Sequence, residues 1–431
     1  LHEPYRRQRQ MCIRDRSVGY KVRKMNLCDL KGSDKIVYNT LQKRGPLIKK
    51  DLVEKSGVGS SNCNRIIRML LEERLIEECG QDISSGGRKP SFFDVCKNRA
   101  FLLGIEMTRL TAGVVLANLK MQIMEERILE RTPNLDWSGM KVLDIIFRYV
   151  AEILEKRNLS MQDILCIGVG VSGSIDHKTG LIAEINGKAT LDWTGLNIRG
   201  EIQKKLGRPV YADLGANAVA VGEYLYGAGQ ECNSLAVLGY ASSLNSALIS
   251  NGKLVRSETN CENTFAHTII NLSGKKCVCG NRGCLQMYAA IPVVVQEVLK
   301  RIALGEECNL EIGNFDMDTY RYRAIAKAAY EGDRVCTEEI RNAAYFFGVG
   351  AANYISMLNP ELVILAGPFA RYDDLYYNIA VQTAKEILKR KGIVKTKFQK
   401  GTFLGRGRSS LSISAAAMAF ECYMKNNVVS W

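Results

Sequence analysis

Four residues between positions 267 and 284 constrain this chain more than any others: His267, then Cys277, Cys279 and Cys284 inside the run C-V-C-G-N-R-G-C. Three thiolates and one imidazole make a soft, tetrahedral zinc set. Cys277 and Cys279 are one residue apart, and Gly280 and Gly283 let the backbone fold tightly enough to bring Cys284 to the same ion. The chain has only three histidines, and one of them stands ten positions before this cluster. Four protein ligands leave no open position for substrate, so the expected zinc is structural and not a Lewis acid. The competing reading is three buried cysteines beside a core histidine.

A chain of 431 residues corresponds to about two to four domains. No apolar run reaches the ~18 residues of a membrane span, and the first residues are polar and basic without the apolar core of a secretory signal. Fourteen cysteines without such a signal read as reduced thiols plus a metal site. These features place the expected protein in the cytoplasm, away from membranes. The net charge is +14. Residues 1–24 carry eight Arg/Lys against Glu3 and Asp15, with no helical or strand period. That stretch reads either as a disordered basic arm or as a non-native leader; Met11, Cys12, Ile13, Arg14 and Asp15 match a translated sequencing adapter. It is set aside from the fold.

Residues 33–99 read as a first domain. Helices are expected over 34–43, with Ser33 as N-cap and Ile36, Val37 and Leu41 inward; over 49–56, buried through Leu52 and Val53; and over 60–74. On the third helix Ile66, Ile67, Leu70 and Leu71 share one face. Ser60 and Ser61, with Asn64, Arg65 and Arg68, form an outer stripe of donors without an acid. A helix, a short turn at Gly57 to Gly59 and a second helix with such a stripe is a helix-turn-helix whose recognition helix enters the major groove. Strands over 75–79 and 91–95 flank G-Q-D-I-S-S-G-G-R-K-P, too long for a tight hairpin. This is a wing: Gly86 and Gly87 permit close approach, and Arg88 and Lys89 follow, suited to a narrow minor groove. The domain holds thirteen Arg/Lys against nine Asp/Glu, which agrees with double-stranded DNA as partner.

From residue 100 the pattern becomes α/β. Strands are expected over 101–117, 122–129, 164–171, 210–211, 235–240, 246–254 and 362–365, and helices over 141–156, 198–206, 216–226 and 342–358. Residues 385–400, although basic, read as a solvated helix and loop. Two similar halves imply a duplicated mixed-sheet architecture with a cleft. Gly168, Gly170 and Gly173 fit G-x-G-x-x-G, but a turn follows instead of a helix, so dinucleotide binding is not expected.

Together the winged helix-turn-helix with S-x-G-G-R-K-P, the strand G-I-E-M-T (104–108), the helix A-N-A-V-A-V-G-E (216–223) before Y-G-A-G, the run N-G-K-L (251–254), the cysteine motif and N-P-E-L-V-I-L-A-G (359–367) resemble the ROK family of repressors, open reading frames and sugar kinases. The resemblance spans about residues 33–420 and is greatest to its xylose and N-acetylglucosamine repressor branch. It implies a winged helix-turn-helix followed, over 100–431, by a two-lobed actin-like, sugar-kinase-type fold. It also implies a structural zinc, a homodimer or homotetramer, an operator in double-stranded DNA and a sugar or sugar-derivative effector.

The departures from the family's kinases bear on activity. The resemblance places their Asn-Asp pair, which includes the catalytic base, at Leu214 and Gly215, and glycine cannot accept a proton. Asp213 stands two residues away. The sugar-binding Glu positions hold Thr264 and Gln286. The glycine-rich phosphate loop reads Ala241, Ser242, Ser243, Leu244, Asn245, and the first phosphate loop, Glu106 to Leu110, has lost its glycines. The expectation is therefore a regulator that is not an enzyme; the alternative is an ATP-dependent sugar kinase. Candidate effector contacts are Asp192, Trp193, Asp213, Asn217, Thr264 and Gln286, with Trp193 open to the reading of a core or surface residue.

Overall fold

The computed structural model describes residues 26–81, 90–132, 134–182, 193–257, 264–310, 318–367, 373–390, 395–402 and 410–425. Apolar residues at helical spacing build its first unit. α1 (Gly32–Arg44) buries Val37, Tyr38 and Leu41. β1 (Leu47–Ile48) leads into α2 (Lys49–Ser56), which buries Leu52. Gly57, at φ +67°, ends α2 in the left-handed region that favours glycine. α3 (Ser60–Glu72) buries Cys63, Ile66, Ile67 and Leu70. β2 (Ile76–Gln81) and β3 (Ser91–Val95) complete an antiparallel sheet of order β1-β3-β2. Two expectations change here. α1 starts before Ser33, with Lys31 at the N-cap. Ile36 faces solvent at 47% exposure, while Tyr38 takes the core position.

Two sheets of one topology form the rest. The first contains β4 (Phe101–Met107), β5 (Thr111–Asn118), β6 (Ile123–Glu130), β7 (Ile164–Val171) and β8 (Val210–Leu214), in the order β6-β5-β4-β7-β8. α4 (Gly139–Lys156), α5 (Ile198–Leu206) and α6 (Gly215–Tyr226) accompany it. The second contains β9 (Leu235–Gly239), β10 (Asn245–Ser250), β11 (Lys253–Leu254), β12 (Leu362–Ala366) and β13 (Lys397–Lys400), in the order β11-β10-β9-β12-β13. Its helices are α7 (Gln286–Ala289), α8 (Ile291–Ala303), α9 (Asp318–Tyr330), α10 (Arg334–Leu358), α11 (Asp374–Arg390) and α12 (Ser410–Lys425), although α12 packs mainly on the first sheet. In each sheet three antiparallel strands are followed by two parallel ones. This is the duplicated α/β architecture expected of the two lobes.

Local chemistry moved several boundaries. The run over 101–117 breaks into a hairpin because the Thr108 hydroxyl accepts from the Leu110 and Thr111 N–H groups at 3.1 and 2.8 Å. The run over 246–254 breaks at Asn251 and Gly252, both at positive φ. The strand expected over 210–211 continues to Leu214, the helix expected over 342–358 begins at Arg334, and part of the segment read as loop is β13.

The G-x-G-x-x-G run also has a physical account. A Cβ at Gly168 would strike the carbonyl of Ala415, and one at Gly170 the side chain of Leu411; across β4, one at Gly104 would strike the Ser412 carbonyl. These glycines let α12 lie directly against the sheet. No described helix is long and apolar enough to cross a membrane.

Candidate functional site

The outer face of α3 is as the sequence suggests. Ser60, Ser61, Asn64, Arg65 and Arg68 are all exposed, while the opposite face is buried. Arg65 is not an open donor. Its Nη2 lies 3.1 Å from Asp34 Oδ1, and its Nε and Nη2 donate to Asn62 Oδ1. Asp34 comes from α1, so the acid missing from the stripe is supplied by a neighbouring helix. Gly87, Arg88 and Lys89, expected on the wing, lie outside the described residues, as does Asp192.

This unit is fastened to the first lobe. The Lys120 ammonium, in the β5–β6 turn, donates to the Leu41 and Gly45 carbonyls at 3.1 and 2.8 Å and pairs with Asp94 at 3.0 Å. A cation at the C-terminus of α1 complements the helix dipole. Gln42, buried in α1, donates to the Leu119 carbonyl and accepts from the Tyr226 hydroxyl at 3.1 Å. The C-terminal end of α12 adds a Lys43–Glu421 ion pair at 2.8 Å and a hydrogen bond from Lys35 to the Met424 carbonyl.

The other end of α12 reaches Gly215, where the sequence resemblance places the kinases' base. A Cβ on Gly215 would meet Leu411 Cδ2 and the Val171 carbonyl, each at 3.3 Å. Asp213, at the end of β8, is buried and committed. Its carboxylate accepts from the Leu214 N–H at 2.7 Å and the Asn217 amide at 2.9 Å, and pairs with Arg256. Arg256 lies just beyond β11, so the pair joins the two lobes.

Gln286 and the loop over 241–245, expected to correspond to the kinases' phosphate loop, hold each other. The Gln286 carbonyl accepts from the Leu244 N–H at 2.9 Å, and its NH2 donates to the Ser242 carbonyl at 3.1 Å. Thr264 is exposed, and its carbonyl accepts from the His267 N–H at 2.8 Å. Trp193 does not line a cleft: it is 1% exposed and its indole donates to the Trp137 carbonyl at 2.7 Å. A bulky aromatic with its N–H satisfied by backbone is a core residue.

The third feature is the cysteine loop. His267, Cys277, Cys279 and Cys284 bring one ligand atom each within 4.8 Å of one another. His267 Nδ1 is 3.6 Å from Cys277 Sγ, and Cys279 Sγ is 3.6 Å from Cys284 Sγ. Metal–sulfur bonds of about 2.3 Å put two sulfurs of a tetrahedron about 3.8 Å apart, so the set fits such an ion. Gly280 and Gly283 sit at φ +98° and +74°, and a Cβ at Gly283 would strike the Asn271 carbonyl. Burial lowers the His267 pKa and favours the neutral ligand form of its ring. Burial and then the Cys279 contact push Cys284 up to about 12. In Cys279 the upward push of burial is outweighed by hydrogen bonds from the Asn281 backbone and the neighbouring thiols, and its pKa falls. A metal that displaces all three thiol protons relieves this crowding.

Arg256, Leu411, Lys120 and Tyr226 were missed from sequence. Each acts on a residue tens to hundreds of positions away, and no local pattern marks such pairs.

The family model described as "ROK family" matches residues 102–403. A xylose repressor of Caldicellulosiruptor bescii is 28% identical over 325 residues, covering 75% of this chain and 79% of that protein. The DNA-binding transcriptional dual regulator NagC of Escherichia coli is 25% identical over 338 residues, covering 78% and 80%. Among solved structures, a ROK family transcriptional regulator described as a homologue of the E. coli MLC protein has a TM-score of 0.70 at 20% identity, covering 91% of this chain and 96% of that one. A ROK family glucokinase from Streptomyces griseus, in complex with glucose and AMPPNP, has a TM-score of 0.63 at 22% identity, covering 75% and 100%.

Proposed function

The chain belongs to the ROK family, and from that premise we propose that it is a DNA-binding transcriptional repressor of carbohydrate-related genes whose kinase-like domain no longer transfers phosphate. The observation that carries the reading is the exposed stripe of Ser60, Ser61, Asn64, Arg65 and Arg68 on α3, backed by a buried apolar face and bolted to the lobes through α1. The repressor names of the relatives support it. So does the 91% coverage by the regulator structure, more than residues 100–431 alone can supply.

In this reading residues 33–99 are a winged helix-turn-helix. α3 enters the major groove, and Gly87, Arg88 and Lys89 on the wing reach the minor groove. Two copies on a homodimer, or a homotetramer built from dimers, read a two-fold-related operator in double-stranded DNA in the cytoplasm. Residues 100–431 hold the effector, a sugar or sugar derivative, with Asp213, Asn217, Thr264 and Gln286 as the remaining candidate contacts. An effector shifts DNA affinity only through its different affinities for the two arrangements of the lobes. α12 is the physical route. Its first turn touches Gly215 and Gly170 at the interlobe site, and its last turn holds Lys35 and Lys43 of α1.

His267, Cys277, Cys279 and Cys284 would hold a structural zinc that fixes the loop ahead of α7. Against phosphoryl transfer stand Gly215 in place of a base, Asp213 locked by Arg256, and a phosphate loop with side chains where glycines are needed. The test is a gel shift on the DNA upstream of the coding region, with Arg68→Ala beside the native protein, together with a phosphorylation assay across common sugars. Retarded operator DNA, weakened by the substitution, and no turnover are expected. Clear turnover with no DNA retention overturns the reading in favour of an ATP-dependent sugar kinase.

A further inference from the structure

A second group of metal-ligating side chains lies away from the cysteine loop. Cys308 follows α8, and Asp333 and Cys336 open α10; their ligand atoms all fall within 4.8 Å of one another. Cys308 Sγ is 3.8 Å from Cys336 Sγ and 3.5 Å from Asp333 Oδ1. With metal–sulfur bonds of about 2.3 Å and a metal–oxygen bond of about 2.0 Å, a tetrahedral ion sets two sulfurs about 3.8 Å apart and a sulfur and an oxygen about 3.5 Å apart. Both spacings are those of a site with three ligands in place.

We propose that Cys308, Asp333 and Cys336 bind a second thiophilic divalent cation of the zinc class, with its fourth position open to water or to an incoming ligand. The carboxylate is pre-oriented. The Cys336 and Asn309 backbone N–H groups donate to its two oxygens at 2.8 and 2.7 Å, leaving lone pairs for the ion. Cys336 and Asp333 are buried, whereas Cys308 is half-exposed and gives the ion an entry path. Two thiolates and a carboxylate around a divalent ion leave one net negative charge. That charge rests at the N-terminus of α10, where the helix dipole favours it. The two nearby guanidiniums do not compete with the ion for these ligands. Arg301 is paired with Glu306, Glu338 and Glu339, and Arg334 with Glu306 and Glu338.

The site ties the segment after α8 to the start of α10, a helix that packs against α7. An open coordination position makes it exchangeable, unlike the four-ligand set at His267.

The test is the metal content of full-length protein, purified under reducing conditions and equilibrated with buffered zinc. It is measured for the native chain, Cys308→Ser, Cys336→Ser and, as a separate reference, Cys284→Ser. About two equivalents are expected in the native chain and about one in each of the three variants, with Cys308→Ser and Cys336→Ser losing the more weakly held ion. Cobalt loaded into protein that carries Cys277→Ser, Cys279→Ser and Cys284→Ser together should still show a thiolate-to-cobalt charge-transfer band, and adding Cys308→Ser with Cys336→Ser should abolish it. Circular dichroism checks that each variant is folded, and the half-exposed Cys308 is the substitution least able to disturb the core. An unchanged metal content in Cys308→Ser overturns the proposal. So does a Cys308–Cys336 disulfide found by mass spectrometry in freshly prepared protein that carries no second ion. Neither result bears on DNA binding.

Discussion

Asp213 and Arg256 meet across the two lobes. Arg256 Nη2 lies 2.5 Å from Asp213 Oδ2, with the side chains 14% and 2% exposed. The carboxylate ends β8 of the first sheet, and the guanidinium follows β11 of the second. The acid two residues before Gly215, where the family's kinases are expected to carry their base, thus joins the lobes and is not free to take a proton.

Removing one partner of a buried pair strands the other charge, which costs about 3–5 kcal/mol. Arg256→Ala is therefore expected to lower the unfolding free energy by about 3 kcal/mol, toward the low end because Arg256 keeps some exposure. Asp213→Ala combined with Arg256→Ala should lose less than the two single changes added together. Urea denaturation of all three proteins measures it; additive losses would mean that the pair is not coupled.

Gly215→Asp restores a carboxylate at the expected base position and still should not restore turnover. The new Cβ comes within 3.3 Å of Leu411 and of the Val171 carbonyl, so α12 must give way. Overpacking of this kind costs about 1–3 kcal/mol. The segment over 241–245, expected at the kinases' phosphate loop, also keeps its side chains. A coupled assay with ATP and a panel of hexoses, run beside a thermal melt, should show no turnover and a lower Tm.

Periodicity made the fold readable because it reports one face at a time. The alternation of strands and helices gave the two lobes, and the spacing of Ile66, Ile67 and Leu70 gave the buried face of α3. The convergence of the cysteine loop was readable because His267, Cys277, Cys279 and Cys284 lie within eighteen residues and two glycines mark the turn. Pairings across elements were not readable. Asp34 with Arg65, Asp213 with Arg256 and Gln42 with Tyr226 are 31, 43 and 184 residues apart. Trp193 shows the converse limit. Its composition suits a sugar platform, and only its packing on Trp137 identifies it as core.

The Gln42–Tyr226 hydrogen bond couples α1 to α6, and both groups are buried. Tyr226→Phe keeps the ring and leaves the Gln42 carbonyl oxygen without this donor, which costs about 1–3 kcal/mol. If α1 carries effector information to α3, the same substitution should also reduce the response of DNA affinity to effector while leaving effector-free DNA binding near native. Chemical denaturation and gel shifts with and without candidate sugars separate the two effects.

If zinc occupies the cysteine loop, stripping it should loosen the segment ahead of α7 without unfolding the lobes, because the loop borders the apolar core around Phe265, Ala266 and Leu285. Prolonged incubation with a strong chelator, or Cys284→Ser, is expected to expose residues 264–285 to limited proteolysis. The far-ultraviolet circular dichroism should stay near native. Added zinc should restore protection to the chelated protein and not to the variant. Equal cleavage with and without zinc would leave the loop's geometry to packing alone.

The sharpest test of the DNA-binding reading compares Arg65 and Arg68 on the α3 face with Asp34 of α1. Arg68 is exposed, whereas Arg65 is held by Asn62 and by Asp34 of α1. An exposed ion pair of this kind contributes only ~0.2–1 kcal/mol, so stability should hardly move when it is broken. Phosphates or base edges would compete well for Arg65 once DNA arrives, and Asp34 would repel the backbone it approaches. Arg65→Ala and Arg68→Ala should each weaken operator binding by about 1–3 kcal/mol, roughly five- to 150-fold. Asp34→Asn should leave the melting temperature near native and tighten binding by about threefold, the equivalent of ~0.7 kcal/mol, through release of Arg65 and loss of a negative charge. Salt titrations then sort the two arginines. One that contacts phosphate lowers the dependence of log K on log salt by about one unit when removed and acts on all sequences alike. One that reads a base leaves that slope nearly unchanged and relaxes the preference at a single operator position. If all three variants bind operator with native affinity, α3 is not the recognition helix.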